Sequence, residues 1–420
     1  MNVNRDAVRG FFDSLAGSWD ADRAEEPEKI RAILRRAGIG PGVEVLDVAC
    51  GTGVLFPYYL ELGAGSVTGI DLSPEMIRRA GAKFSDSRIR LLTGDAAELA
   101  DGCFDRIVVF NAPGANADAT KEMIIFDMLL ASRDMLGAIE WVNSIADKGD
   151  EVPALVEKGK SAFSGPELCG KSLGVIGLGA IGSLVANLAL EFGMTVRGYD
   201  PFISIESAWR LSRNVIHVDY VEEIFRTSDY ISLNVPYNDG THHMINAEAL
   251  ASMRPGVRIM NESRAEVVDD DAMIAALESG RVGKYVTDFP NAKLIGVKNC
   301  ITLPHLGACT PESEEKCSIM AAQEIYDYLA NGNIHNSVNL PNASLDRLGV
   351  CRLCVLHRNV PNKINTILDL ISARNINIEH MINKPRGGYA YTMIDLAEKV
   401  GEEITGEILK DPDVLRVRVI

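Results

Sequence analysis

Two glycine-rich loops carry the most recognisable chemistry in this sequence. One is Gly177-Leu178-Gly179-Ala180-Ile181-Gly182, with Asp200 beyond it; the other is Gly51-Thr52-Gly53, with Asp71 beyond it. In the second of these along the chain, Gly177 and Gly179 permit a tight turn and let a pyrophosphate approach the backbone. A helix opening at Ala180 and Ile181 presents free N–H groups to that negative charge, and Gly182 completes the spacing. An acid at the end of the following strand accepts both hydroxyls of a ribose and repels a 2′-phosphate. Asp200 therefore predicts NAD rather than NADP as the ligand.

Such a loop works only when a strand enters it, a helix leaves it and a second strand returns beside the first. The sequence supplies that set twice. The first set is Val43–Asp47, the glycines, a helical stretch to Leu62 and Ser66–Asp71; the second is Ser172–Gly177, the glycines, a helix to Phe192 and Met194–Asp200. Both read as nucleotide-binding βαβ units, so the fold class is α/β. Apolar residues at helical spacing predict one long helix over Asn116–Gly137, and Asp147–Gly165 reads as helix plus loop. A further helix over Glu312–Leu329 meets a stop at Asn331-Gly332-Asn333, and Asn339-Leu340-Pro341-Asn342 reads as a linker. From Gly349 to Ile420 the pattern is strand (Val350–His357), helix (Val360–Ala373), strand (Asn377–Ile382), a Gly387-Gly388 turn, strand (Tyr389–Leu396), helix (Glu402–Lys410) and strand (Val414–Ile420). That βαββαβ order is ferredoxin-like.

The 420-residue length allows two to four domains, and 47% apolar with 24% charged residues is the mix of a soluble globular chain. A net charge of −16 argues against nucleic acid or an anionic membrane as partner. No apolar run is long enough to span a bilayer, and Met1–Asp6 lacks the apolar core of a signal peptide, so a cytoplasmic location is expected. Of eight cysteines only Cys351 and Cys354 form a CxxC, with no second pair to complete a zinc site. They read as strand residues, and no metal is expected.

Residues from about Ile107 to Asn342 resemble the D-2-hydroxyacid dehydrogenase family, and within it the 3-phosphoglycerate dehydrogenases. The matching stretches are Val109–Ala117, Leu173–Asp200, Asn234-Val235-Pro236, Asn261-Glu262-Ser263-Arg264, Val286–Pro290 and Pro304–Ala308. The resemblance implies that Arg264 grips the substrate carboxylate and His305 takes the hydroxyl proton. It also implies that Asp288 hydrogen-bonds the nicotinamide carboxamide and that Pro236 and Ser263 line the cofactor. Arg264 offers a bidentate fork and His305 a near-neutral titration, which suit those tasks. Taken singly, Arg264 reads as half of a surface ion pair and His305 as a strand-end histidine. This family usually places a Glu shortly after its Asp288 counterpart to partner the histidine. Here Phe289–Leu294 contains no acid.

The N-terminal stretch resembles the class I S-adenosylmethionine-dependent methyltransferases. Val45–Gly53 is similar to their first motif, Val67–Ser73 to their second strand, Thr93-Gly94-Asp95-Ala96 to their adenine contact and Phe104–Val109 to their fourth strand. The resemblance implies possible S-adenosylmethionine binding at Asp47, Gly51, Gly53, Asp71 and Asp95. It stops near Asn111, before the strands that carry acceptor-binding residues, and the front half of the dehydrogenase substrate domain is also missing. The chain reads as a chimera joined at Ile107–Asn111, with a graft of four strands. Residues 349–420 resemble an ACT domain, which implies amino-acid binding at His357, Asn359 and Asn377.

The expected domains are residues 1–111 (truncated methyltransferase-like), 112–304 (NAD-binding Rossmann domain), 305–342 (return helix and linker) and 349–420 (ACT). The expected function is NAD-dependent oxidation of 3-phosphoglycerate or a related 2-hydroxy acid in L-serine biosynthesis, with serine feedback at the ACT domain. The alternatives are a methyltransferase and a catalytically impaired chimera that binds nucleotide and amino acid. A small-molecule substrate and further copies of the chain, as dimer or tetramer, are the expected partners.

Overall fold

The computed structural model describes residues 9–10, 12–14, 16–17, 19–20, 27–36, 39–94, 108 and 110–420. The chain forms two compact units, one of Met1–Ala112 with Ser318–Ile420, the other of Pro113–Cys317.

At the front of the first unit, β1 (Glu44–Val48), β2 (Ser66–Asp71) and β3 (Ile89–Thr93) make a parallel sheet in the order β1-β2-β3. Helix Pro74–Lys83 follows β2, with Ser73 capping it by accepting from the Met76 amide. Phe56, Val67 and Ala80 are fully buried in the core. The fourth strand expected at Phe104–Val109 falls, save for Val108, outside the described residues. Beyond it, Phe110 forms an antiparallel bridge with Ser337 and its ring packs on Tyr328. The joining segment thus pairs with sequence from the C-terminal part of the same unit.

The second unit holds seven parallel strands: β4 (Ser172–Ile176), β5 (Thr195–Tyr199), β6 (Ile216–His217), β7 (Tyr230–Leu233), β8 (Val257–Asn261), β9 (Val282–Thr287) and β10 (Cys300–Thr302). Their order is β10-β9-β8-β7-β4-β5-β6. β4 and β7 are buried at every position, as strands covered on both faces must be. One face packs a cluster with Ile224, Leu250 and Met273, the other a cluster with Ile124, Met128 and Val185. Because β4 runs to β5 and β6 on one side and to β7 on the other, the chain reverses direction between β4 and β7. Open α/β sheets bind ligands at such a crevice, outside the carboxyl ends of the strands.

The single long helix expected over Asn116–Gly137 is two, Ala117–Ser132 and Met135–Ser144. Ser132 Oγ bonds back to the Met128 carbonyl and shares a hydrogen bond with the buried Tyr230 hydroxyl, while Arg133 turns extended. That contact from another part of the sequence ends a helix whose apolar periodicity continues.

The last strands, β11 (Cys351–Arg358), β12 (Ile378–Arg386), β13 (Tyr389–Leu396) and β14 (Val414–Val419), form an antiparallel sheet ordered β12-β13-β11-β14. Helices Lys363–Ser372 and Glu402–Ile408 complete the βαββαβ unit. Cys351 and Cys354 are both buried in β11. Arg352 and Asp395, each wholly buried, form a bidentate pair, and Arg352 also donates to the Asn331 carbonyl at the end of helix Pro311–Asn331. Removing one partner would leave a buried charge unpaired, the costly way to break such a pair.

Candidate active site

All the dehydrogenase-type site residues lie at one edge of the seven-stranded sheet. Read across the strand order, His305 follows β10, Asp288 follows β9, Ser263 and Arg264 follow β8 and Pro236 follows β7. The glycine loop follows β4 and Asp200 follows β5. Five inter-strand steps of about 4.8 Å separate the two ends, roughly 24 Å in all.

The glycines have different structural reasons. Gly177 sits at φ +88°, and a Cβ there would lie 2.4 Å from the Asn234 carbonyl oxygen; one on Gly182 would lie 1.9 Å from the Gly177 carbonyl. Those two let the helix sit directly against the strands. Around Gly179 nothing lies within 4 Å of a Cβ, and no side chain caps helix Ala180–Glu191 there. The first N–H groups of that helix, from Ala180 onward, have no intrahelical acceptor. The loop therefore has an open cradle that fits a phosphate.

Asp200 is held by backbone on both sides. Its Oδ2 accepts from the Leu178 amide and its Oδ1 from the Phe202 amide, both at 2.8 Å. The carboxylate pins the glycine loop to the end of β5 and keeps lone pairs for two further donors. The N-terminal loop repeats this device. Asp71 accepts from Gly51 N at 2.8 Å and Ser73 N at 2.9 Å, and a Cβ on Gly51 would meet the Trp19 indole nitrogen at 3.2 Å. Gly53 is at φ +76° against Phe56, and burial pushes the nearby Asp47 up to about 6, with a Tyr59 hydrogen bond opposing. Asp95 lies outside the described residues.

Arg264 is exposed, and its Nη1 donates to the Ser263 carbonyl; Ser263 is buried, its amide and hydroxyl both donating to Asn261 Oδ1. His305 is exposed, with φ +56°, and its ring meets Phe289 edge to face at 4.8 Å between centroids. Among the described residues no carboxylate bonds the His305 ring. Pro236 offers its carbonyl to Thr241 Oγ1.

Sequence reasoning missed two acids. Glu262 stands in the quoted Asn261–Arg264 stretch and Asp127 in helix Ala117–Ser132, yet both are buried beside Asp288. A charged residue inside an apolar helical face was the available signal for Asp127.

In the C-terminal domain, Asn359 and Asn377 are exposed, and Asn377 donates to Glu379. His357 is buried instead. Its Nδ1 lies 2.8 Å from the Arg358 carbonyl and its Nε2 2.8 Å from Thr392 Oγ1, so both ring nitrogens are engaged within the sheet.

Fold and site together define a dinucleotide-binding dehydrogenase with a Rossmann sheet. Residues 128–307 match the NAD-binding domain of D-isomer-specific 2-hydroxyacid dehydrogenases, and residues 45–125 match a methyltransferase domain. The chain is 30% identical over 327 residues to D-3-phosphoglycerate dehydrogenase of Escherichia coli K12, covering 75% of this chain and 76% of that one. Its counterpart in Methanocaldococcus jannaschii is 32% identical over 273 residues, 63% of this chain and 49% of that one. The fold is shared with D-2-hydroxyisocaproate dehydrogenase, with a TM-score of 0.51, 20% identity, and coverage of 70% of this chain and 99% of that one. The chain belongs to the D-2-hydroxyacid dehydrogenase family, as an NAD-dependent oxidoreductase of the D-3-phosphoglycerate dehydrogenase type. No helix among the described residues is long and apolar enough to cross a membrane.

Proposed function

We propose that this chain oxidises 3-phosphoglycerate, or a related small 2-hydroxy acid, to the 2-oxo acid, in the direction of L-serine synthesis. The observation that carries this reading is the single-edge array running from the Gly179 cradle and Asp200 to Arg264 and His305. Bound NAD supplies the hydride acceptor. Arg264 holds the substrate carboxylate in a two-pronged hydrogen bond, which fixes the reacting carbon. His305 takes the hydroxyl proton as the C–H bond breaks, and Phe289 packs edge to face on its ring. Asp288 accepts from the carboxamide, Ser263 and Pro236 line the cofactor, and Asp200 receives the ribose hydroxyls.

The test is NADH formation followed by absorbance with 3-phosphoglycerate. NAD is expected to support turnover and NADP to support far less, because a 2′-phosphate meets Asp200. The stretch before Pro113 is of methyltransferase type, so contacts to the substrate phosphate are expected to be weak. kcat/KM for the phosphorylated substrate should then exceed that for an unphosphorylated analogue by less than about a hundredfold, some 2.7 kcal/mol of transition-state binding. Absence of NADH formation with either substrate would refute the reading.

The methyltransferase-type loop favours a second ligand. S-adenosylmethionine is expected to bind at Asp47, Gly51, Gly53 and Asp71 without methyl transfer, because no acceptor-binding half follows. Trp19 beside Gly51 supplies the probe: titration should change tryptophan fluorescence in the wild type and not in Trp19→Phe. Radiolabelled methyl on any acceptor would overturn this expectation.

Helices Met135–Ser144 and Val152–Gly159 bury no residue, yet Met135, Leu136, Ile139 and Val142 are apolar and exposed. An apolar helix face left in water favours self-association, as a dimer or tetramer, through these helices. Serine feedback is assigned to Asn359 and Asn377, with His357 holding the strands that present them.

A further inference from the structure

Three carboxyl groups share one buried space in the NAD-binding unit. Asp127, on helix Ala117–Ser132, is 0% exposed; Glu262 and Asp288, beyond β8 and β9, are 8% and 2% exposed. Neither oxygen of Asp127 or Glu262, nor Oδ1 of Asp288, receives an N–H or hydroxyl donor. Glu262 lies within hydrogen-bonding reach of both other carboxyls. Gly307 closes the space: a Cβ there would sit 2.9 Å from Glu262 Oε2 and 3.3 Å from Asp288 Oδ2.

Among the described residues no cation neutralises the group. On the surrounding elements, Arg264 turns Nη1 to the Ser263 carbonyl, Arg258 reaches the Ala131 carbonyl and Lys121 pairs with Asp118. His305 packs on Phe289, and the Tyr285 hydroxyl accepts from Asn261. Three ionised carboxylates in such a space repel one another, so at least one holds a proton. Burial first, then the Asp288 and Asp127 carboxyls, push Glu262 far above the usual range; burial, with Asp288 adding, pushes Asp127 up to about 7. Glu262 is thus the neutral acid that bridges its neighbours.

We propose that Asp127, linked to Asp288 through neutral Glu262, is a proton store that makes the preference for oxidised over reduced nicotinamide depend on pH. The inference rests on the reading above, in which Asp288 lies beside the nicotinamide. The oxidised ring carries a positive charge and the reduced ring none. Releasing the Asp127 proton adds a buried negative charge, which favours the cation alone. Binding of NAD in its oxidised form therefore expels the proton, and its affinity rises with pH.

The test is the dissociation constant of each nucleotide for the full chain across pH, from NADH fluorescence and its displacement by NAD. Affinity for NAD is expected to rise about tenfold between pH 6 and pH 8 while that for NADH changes less than about twofold. Asp127→Asn should flatten the NAD response, and Asp127→Ser repeats the test if that variant fails to fold. Glu262→Gln should keep the response, because its amide replaces the neutral acid's hydrogen. A response that survives in both Asp127 variants overturns the proposal, as does a wild-type ratio that ignores pH. Failure of either nucleotide to bind at any pH removes the NAD reading itself, and the proposal with it.

Discussion

His305→Ala is expected to lower kcat for hydride transfer by about 10²–10⁴-fold while leaving NAD affinity within a few-fold. The imidazole is exposed at the end of β10 and touches Phe289, and the Gly179 cradle and Asp200 lie four and five strands away, so the loss falls on chemistry rather than on cofactor binding. Arg264→Ala should cost a similar factor, and Arg264→Lys should restore little, because one ammonium cannot reproduce a two-pronged grip. Pre-steady-state NADH formation together with a separate NAD titration measures both quantities. Turnover retained in His305→Ala would remove that residue from the mechanism.

The buried acids should make the apoprotein less stable as pH rises. Asp127 and Glu262 both titrate above their unfolded values, chiefly because burial disfavours their charged forms. The folded state then keeps protons that the unfolded chain releases above about pH 4, so stability declines with pH, by about 1.4 kcal/mol per unit for each retained proton. For Asp127 the loss ends near pH 7, where the folded group also ionises; for Glu262 it continues beyond. Glu262→Gln carries no such cost. It is expected to match the wild type near pH 4 and to exceed it by roughly 5 kcal/mol at pH 8. Denaturant midpoints at the two pH values decide the matter. A wild type equally stable at both, or a variant weaker at pH 8, would show that the cluster is solvated.

The sites most easily read in the sequence are those built from contiguous residues. The turn at Gly177–Gly182 needs Gly177 and Gly182 for its close packing, and a strand that leads to Asp200 or ends in Asp71 returns to the loop by the geometry of a βαβ unit. The C-terminal βαββαβ pattern was equally plain, because alternation and helical spacing are local properties, and strand Tyr389–Leu396 has the expected bounds. Sequence alone thus determined two nucleotide-type loops, the acid that closes each, and the family of the larger one.

Tertiary structure decided the rest. Asp127 and Glu262 are far apart in sequence and meet only because helix Ala117–Ser132 packs on β8 and β9. The break at Ser132 depends on Tyr230, the burial of His357 on Thr392, and the pairing of Phe110 on Ser337. Each outcome turns on a partner about thirty or more residues away. Periodicity reports which face of an element is apolar, but not which distant group will share its buried space; that choice, with the pKa values it sets, belongs to the packed fold.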